Sequence, residues 1–150
     1  MVTLLEQIRT EIEINSPPLR VWEILTDFAR YPQWNPFILE VKGVVSPGAT
    51  VPYRFEFPRG LRVWAHARIL QFEPEKELRC TAHFLTPSVF NGEHYFTITP
   101  TSGSNSVFRH GEIFSGLTLP IVWPILRAYG PEIYKSLNAA LKQRAEMSRP

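Results

Sequence analysis

The stretch SPPLRVWEILTDFARYPQWNPFI, residues 16–38, decides the fold because it places helical segments directly after a first strand. Asn15 or Ser16 is a suitable N-cap, and the two prolines that follow suit a first helical turn. Apolar side chains then recur on one stripe, at Val21, Leu25 and Phe28. The segment YPQWNP, residues 31–36, breaks this pattern. We therefore expect a helix to about residue 28, followed by one short helical turn.

Alternating patterns predict strands on both sides of this stretch. Residues 7–14, QIRTEIEI, alternate apolar and polar side chains and predict a half-buried strand. Six further alternating segments follow between residues 37 and 115, separated by turn residues. A helical segment closes the chain. This order predicts an α+β fold, with an antiparallel sheet and its helices on one face, in a single domain over residues 1–150.

Prolines divide the C-terminal helical segment. Pro124 and the pair Gly130-Pro131 predict interruptions, because proline removes a backbone hydrogen bond and kinks a helix. A broken helix would separate the apolar segment 117–129, a candidate lid, from a firmly packed C-terminal part. The other interpretation is a helix that starts late, with Pro131 in its first turn.

Composition narrows the classes of function. The 150 residues carry a net charge of +2 with both signs interspersed, which disfavours nucleic acid as a partner. The single cysteine, Cys80, cannot form an internal disulfide. The histidines have no spacing typical of a metal site, so we expect no metal, and no motif of a cofactor site appears.

We expect a cytoplasmic protein without a transmembrane segment, since no secretory pattern begins the sequence and the longest apolar stretch, 117–126, is too short to span a bilayer.

The order of elements and several short motifs resemble the START-like helix-grip superfamily (SRPBCC), in its polyketide cyclase/dehydrase group. The resemblance covers nearly the whole chain. Besides residues 16–38, it rests on Glu73-Pro74, Glu77-Leu78, residues 91–94 (NGEH), residues 112–116 (EIFSG) and residues 141–146 (LKQRAE). It implies a curved seven-stranded antiparallel sheet wrapped around a long C-terminal helix, with two short helices after the first strand. It also implies a cavity for an apolar ligand. Some members of this superfamily cyclise or dehydrate polyketides, and others bind or carry lipids and hydrophobic metabolites.

Small residues in the inward series of the middle strands predict that the cavity is not filled by side chains. Ala65, Ala67 and Cys80 would face the long helix, and a close-packed domain would place larger groups there. Aromatic residues on the same faces would line the space: Tyr53, Phe55, Phe84, Phe90, Phe96, Phe108 and Phe114. Further candidate contacts lie after the first helices and on the last one: Trp34, Trp123, Leu126, Tyr129 and Ile133.

Two neighbouring strands also place polar side chains among these inward aromatics. If their hairpin is centred on Gly103, His94 lies opposite Glu112 and Phe96 lies opposite His110. We therefore expect His94, His110 and Glu112 to form a polar cluster on the cavity wall. The cluster is a structural pair that satisfies itself, a site that orients a ligand carbonyl or hydroxyl, or an acid–base group in a reaction.

Three functions remain open from the sequence. The first is a carrier or sensor that binds a small hydrophobic molecule. The second is a polyketide cyclase or dehydratase that uses His94, His110 and Glu112 as acid–base groups. The third is an interaction module that docks through residues 117–129. An outward-facing Trp64, with Leu70, also makes a homodimer possible.

Overall fold

The computed structural model describes residues 4–147 and contains one antiparallel sheet of seven strands in the order β1-β7-β6-β5-β4-β3-β2. The sheet, two short helices and one long helix form the α+β helix-grip fold that the sequence predicts. The elements are β1 (Leu5–Ile14), α1 (Pro18–Thr26), a 3₁₀ turn (Phe28–Arg30), α2 (Tyr31–Trp34), β2 (Ile38–Val41), β3 (Thr50–Glu56), β4 (Arg62–Glu73), β5 (Glu77–Phe84), β6 (Phe90–Pro100), β7 (Ser106–Ser115) and α3 (Leu119–Glu146).

The segment after β1 folds as expected, except at its cap. Helix α1 has a proline in its first turn, and its apolar stripe is buried, with Val21 at 0% exposure. No side chain caps the helix. Ser16 Oγ donates instead to the backbone carbonyl of Ala145, at 2.9 Å, and so ties the end of β1 to the end of α3. The predicted N-cap role of Asn15 or Ser16 is therefore wrong, because a tertiary partner takes the hydroxyl.

Helix α3 runs without interruption from Leu119 to Glu146, with Pro124 and Pro131 inside it. The predicted breaks at these prolines are wrong, and residues 119–129 belong to the same helix as the C-terminal part. Tight packing holds the helix at this point. A Cβ on Gly130 would lie 2.4 Å from Ile8 Cδ1, so the glycine lets α3 lie close to β1 without displacing the Ile8 side chain. Packing on both sides of Pro131 outweighs the hydrogen bond that proline removes.

Helix α3 lies over the β1–β7 side of the sheet and leaves the middle strands less covered. Apolar residues of α1, of the sheet and of the C-terminal half of α3 form a large core, which includes Ile14, Leu25, Phe108 and Leu141. A second, smaller core joins β1, β7 and the first half of α3 through Ile8, Phe114, Leu119 and Tyr134. In residues 4–147, no helix combines the length and hydropathy needed to cross a membrane.

Candidate functional site

The β6–β7 hairpin has the register that the sequence predicts. His94 lies opposite Glu112, and Phe96 lies opposite His110. Gly103, at the turn, has a φ of 73°, a left-handed conformation that glycine adopts without strain. The alternation of each strand then points these four side chains to the face that α3 covers.

Glu112 is the centre of one buried group of polar side chains. Its Oε2 lies 3.2 Å from His94 Nε2 and also accepts a hydrogen bond from the Tyr134 hydroxyl. Tyr134 comes from α3, so the group joins two strands and the helix. The sequence analysis did not identify Tyr134 as part of the site, although it lies beside Ile133 on the apolar side of the predicted helix.

A glycine makes room for this carboxylate. Gly92 lies on β6, next to His94 on the same face, and a Cβ there would lie 2.1 Å from Glu112 Oε1. Among the described residues, none forms a hydrogen bond with Oε1. Gly92 therefore lets the Glu112 side chain lie flat across the sheet with one oxygen held and the other free.

His110 belongs to a second hydrogen-bond network, which anchors α3 to β1 and β7. The Thr10 hydroxyl donates to the His110 carbonyl at 2.8 Å, so it must accept from the Asn138 amide, whose Nδ2 is 2.7 Å away. This fixes the orientation of the amide and places Asn138 Oδ1 3.2 Å from His110 Nδ1. The His110 proton is therefore on Nδ1, and Nε2 is left buried without a partner.

Burial controls the charge of these groups. It raises the pKa of the Glu112 carboxyl above its usual range, although His94 and the Tyr134 hydroxyl both act to lower it. It lowers the pKa of the His110 imidazole well below its usual range, and the nearby His94 adds to this shift. It also raises the pKa of the Cys80 thiol to about 12. The cluster thus disfavours charge at His110 and an ionised thiol at Cys80.

Small side chains form part of the inner wall beside the Glu112 group. Ala82 on β5 pairs with Gly92, and Ala67 lies next to them on β4, since Arg68 pairs with Thr81. Inward-facing side chains of β3 to β5 are half-buried although α3 lies on their side of the sheet: Tyr53, Phe55, Ala65, Cys80 and Ala82. The space between the sheet and α3 is therefore incompletely filled here, in contrast to the packed core.

A pocket of about 270 Å³ lies where the β3–β4 hairpin faces α3. Its lining includes Ile133, which the sequence analysis named, and residues it did not name: Pro36, Phe37, Glu56, Phe57, Pro58, Arg59, Gly60 and Ser136. Aromatic packing builds this edge, because the Phe55 ring contacts those of Phe37 and Phe57 at 5.7 and 4.8 Å between centroids. Most of these residues lie in turns or next to strand ends, where alternation gives no signal; Glu56 ends β3 and Ser136 lies on α3.

The remaining predicted contacts lie in three different environments. Several are closely packed in the two cores: Ala67, Phe96, Phe108 and Phe114. Others are half-buried against those cores: Trp34, Phe90, Trp123, Leu126 and Ile133. Phe84 and Tyr129 are largely exposed, at 66% and 63%, and do not join the polar cluster.

The first half of α3 presents apolar side chains to solvent. Ile121, Ile125 and Tyr129 recur every four residues on α3, Leu117 continues this spacing just before the helix, and each is more than 60% exposed. Trp123 and Leu126, which the sequence analysis singled out in this segment, pack inward instead. On the outer face of the sheet, Trp64 and Leu70 are each 44% exposed, and the Trp64 ring has the Lys42 ammonium 4.5 Å from its centre.

No three histidine, cysteine, aspartate or glutamate side chains of residues 4–147 form a group that could hold a metal ion. His94, His110 and Glu112 lie together, and each has one nitrogen or oxygen atom engaged: His110 Nδ1 with Asn138, and Glu112 Oε2 with Tyr134 and His94 Nε2. Their arrangement suits proton sharing and hydrogen bonding with an organic molecule.

Comparisons with known proteins agree with this architecture. Residues 6–146 match the family model described as polyketide cyclase / dehydrase and lipid transport. A search of the curated proteins finds no match.

Solved structures with the same fold are distant in sequence. The chain is similar to the Zhui aromatase/cyclase from Streptomyces sp. R1128, with a TM-score of 0.76, 15% identity and coverage of 95% of this chain and 94% of that one. It is similar to a START superfamily protein from Mycobacterium smegmatis, with a TM-score of 0.75, 19% identity and coverage of 93% and 97%. It is also similar to a truncated norcoclaurine synthase from Thalictrum flavum, with a TM-score of 0.76, 12% identity and coverage of 99% and 98%. At these identities, the likeness concerns the fold alone.

Proposed function

The chain belongs to the polyketide cyclase / dehydrase and lipid transport family, and on that premise we propose that it binds a small hydrophobic molecule between the sheet and α3. The ligand is a lipid, a polyketide or an aromatic metabolite, and the protein acts as its carrier or sensor. The observation that supports this proposal is the set of inward, half-buried side chains on β3 to β5, among them Tyr53, Phe55 and Ala65.

Inward-facing apolar side chains that are only half-buried still expose apolar surface, which a ligand can cover. Each square ångström of apolar surface removed from water contributes about 25 cal/mol, so a ligand that covers this wall gains affinity in proportion to its own apolar area. The small residues Ala65 and Ala82 keep the space open, whereas the surrounding core is closely packed. This contrast favours a binding function over a purely structural interior.

A filled cavity tests the proposal. Ala65 faces inward opposite Tyr53, so Ala65→Phe places a ring in the proposed binding space. We expect this variant to bind the neutral apolar probe N-phenyl-1-naphthylamine at least tenfold more weakly than the wild type, with an unchanged or higher melting temperature. His66→Phe places the same phenyl ring at the next residue, which faces solvent, and serves as the matched control.

Equal probe affinity of the wild type and Ala65→Phe, or loss of binding in His66→Phe as well, would contradict this location for the site. Native mass spectrometry of the purified protein supplies an independent measurement, since a co-purified ligand adds a defined mass that Ala65→Phe should lack.

One observation favours a second candidate function, a cyclase or dehydratase of polyketide-like substrates. His94, Glu112 and Tyr134 form a proton-sharing group beside the apolar wall, which is the kind of group that moves a proton during aldol cyclisation or dehydration. Glu112→Gln keeps the shape of this group and removes the acid. If the protein is such an enzyme, turnover of a model polyketide should fall by two orders of magnitude or more, while probe binding persists. Unchanged turnover in this variant would contradict the acid–base role.

A further inference from the structure

The polar corner of the cavity has one nitrogen that is free to meet a ligand. Of the four ring nitrogens of the inward-facing His94 and His110, two lack a partner among residues 4–147, Nε2 of His110 and Nδ1 of His94. The first is sealed, since His110 is 2% exposed and packed between other rings. The second belongs to a side chain that is 23% exposed, so it can be reached.

Glu112 decides which hydrogen-bonding character that nitrogen has. As a carboxylate, Glu112 can only accept hydrogen bonds, so Oε2 accepts from the Tyr134 hydroxyl and from His94 Nε2, 3.2 Å away. In a neutral imidazole, one nitrogen donates and the other accepts. With the proton on Nε2, the lone pair is on Nδ1, which makes Nδ1 a hydrogen-bond acceptor.

Apart from this group and the His110 ring, whose centroid lies 5.6 Å away, the contacts of the His94 ring are apolar. Its ring stacks on Phe96, with 5.9 Å between centroids and 5° between planes, and Cys80 lies opposite it on β5. In such surroundings an acceptor that stays unpaired when a ligand excludes water loses its hydrogen bonds to water and gains none in return, which is costly. The occupant of the cavity therefore needs a donor at this point.

We propose that His94 Nδ1, oriented by Glu112 and Tyr134, selects apolar ligands whose polar end carries a hydrogen-bond donor, such as a phenolic or enolic hydroxyl. His94 contacts the ligand, Glu112 is a positioning residue, and His110 supports the fold through Asn138. This inference rests on the proposed function, since it assigns the ligand chemistry of the same cavity.

The test uses two probes that differ in one donor, 2-naphthol and 2-methoxynaphthalene, titrated at pH 8 by isothermal calorimetry. The wild type should bind 2-naphthol about tenfold more tightly, the size of one buried hydrogen bond. His94→Leu should lose this preference and keep its affinity for 2-methoxynaphthalene, which also shows that the cavity is intact. His66→Leu, on the outer face of β4, should behave as the wild type. If His94→Leu does not fold, His94→Phe takes its place.

Tyr53 is the competing polar group, because its side chain also faces inward and is half-buried. Tyr53→Phe should keep the preference for 2-naphthol. Three results would each overturn the inference and leave the proposed function standing. They are equal affinity of the wild type for both probes, a preference for 2-naphthol that survives in His94→Leu, and loss of that preference in Tyr53→Phe. Failure of both probes to bind to the wild type would overturn the proposed function and the inference together.

Discussion

Replacing His110 should change the pH dependence of folding in a defined direction. His110 is the one buried imidazole among the four histidines, at 2% exposure, and its ring stacks on Phe96 and Tyr134 at 4.6 and 4.5 Å between centroids. Burial, helped by His94, lowers its pKa well below the usual range in the folded state. In the unfolded chain, the imidazole titrates near its ordinary value of about 6.5.

The direction of the pH dependence follows from which state of the protein, folded or unfolded, binds the proton. As the pH falls below about 6.5, the unfolded chain takes up a proton that folded His110 does not, so the free energy of unfolding decreases. Between pH 7.5 and 5.5 the loss amounts to about 1.4 kcal/mol, provided that folded His110 stays neutral. Glu112 acts in the opposite direction, because its raised pKa lets the folded state bind a proton before the unfolded chain does.

Urea unfolding separates the contribution of His110 from that of Glu112 when the wild type and His110→Phe are compared at pH 7.5 and 5.5. His110→Phe leaves Asn138 Oδ1 without its partner, which lowers stability at both pH values by a similar amount. The contribution of Glu112 is common to both proteins and cancels in the difference. We expect the wild type to lose about 1.4 kcal/mol more than the variant on acidification. His83→Phe, at an exposed position, should keep the wild-type dependence. Parallel pH profiles of the wild type and His110→Phe would refute the assignment of a buried, neutral imidazole.

Two further predictions concern the cavity wall. Gly92→Ala should lower the free energy of unfolding in urea by about 2 kcal/mol, because the new Cβ meets Glu112 Oε1 and displaces the carboxylate from Tyr134. In a Glu112→Ala background the same substitution should change the free energy of unfolding little. An equal loss in both backgrounds would contradict the close contact. Cys80, the single cysteine, should react with Ellman's reagent at pH 8 on the order of a thousandfold more slowly in the folded protein than in urea, since its pKa of about 12 leaves little thiolate. Equal rates in the folded and unfolded protein would contradict its burial.

Local patterns were enough to predict the framework of the site. The alternation of β6 and β7, with a glycine at the turn between them, fixed the pairing of His94 with Glu112. The side-chain period of a strand is two and the turn sets the register, so these relations depend on residues close in sequence. The order of elements and the outward position of His66 and His83 followed from the same patterns.

Other parts of the site depend on how the long helix lies on the sheet. Tyr134 and Asn138 reach Glu112, His110 and Thr10 because α3 is continuous through Pro131 and rests on β1 at Gly130. Helical periodicity shows which residues share a stripe, but the partner that each one meets depends on the rotation and height of the helix over the sheet. The contact between Thr10 and Asn138 joins residues 128 positions apart, and no local pattern encodes it.

The sequence by itself thus determined the order of the strands, the register of the β6–β7 hairpin and the inward face of these two strands, because short-range sterics and alternation govern them. Only the tertiary structure decided which inward groups are sealed and which can be reached. His110 and His94 have the same residue type and the same strand parity. The fold gives His110 a partner on Nδ1 and buries its Nε2, whereas Nδ1 of His94 stays accessible. The difference arises because α3 covers β7 more closely than the strands beyond it.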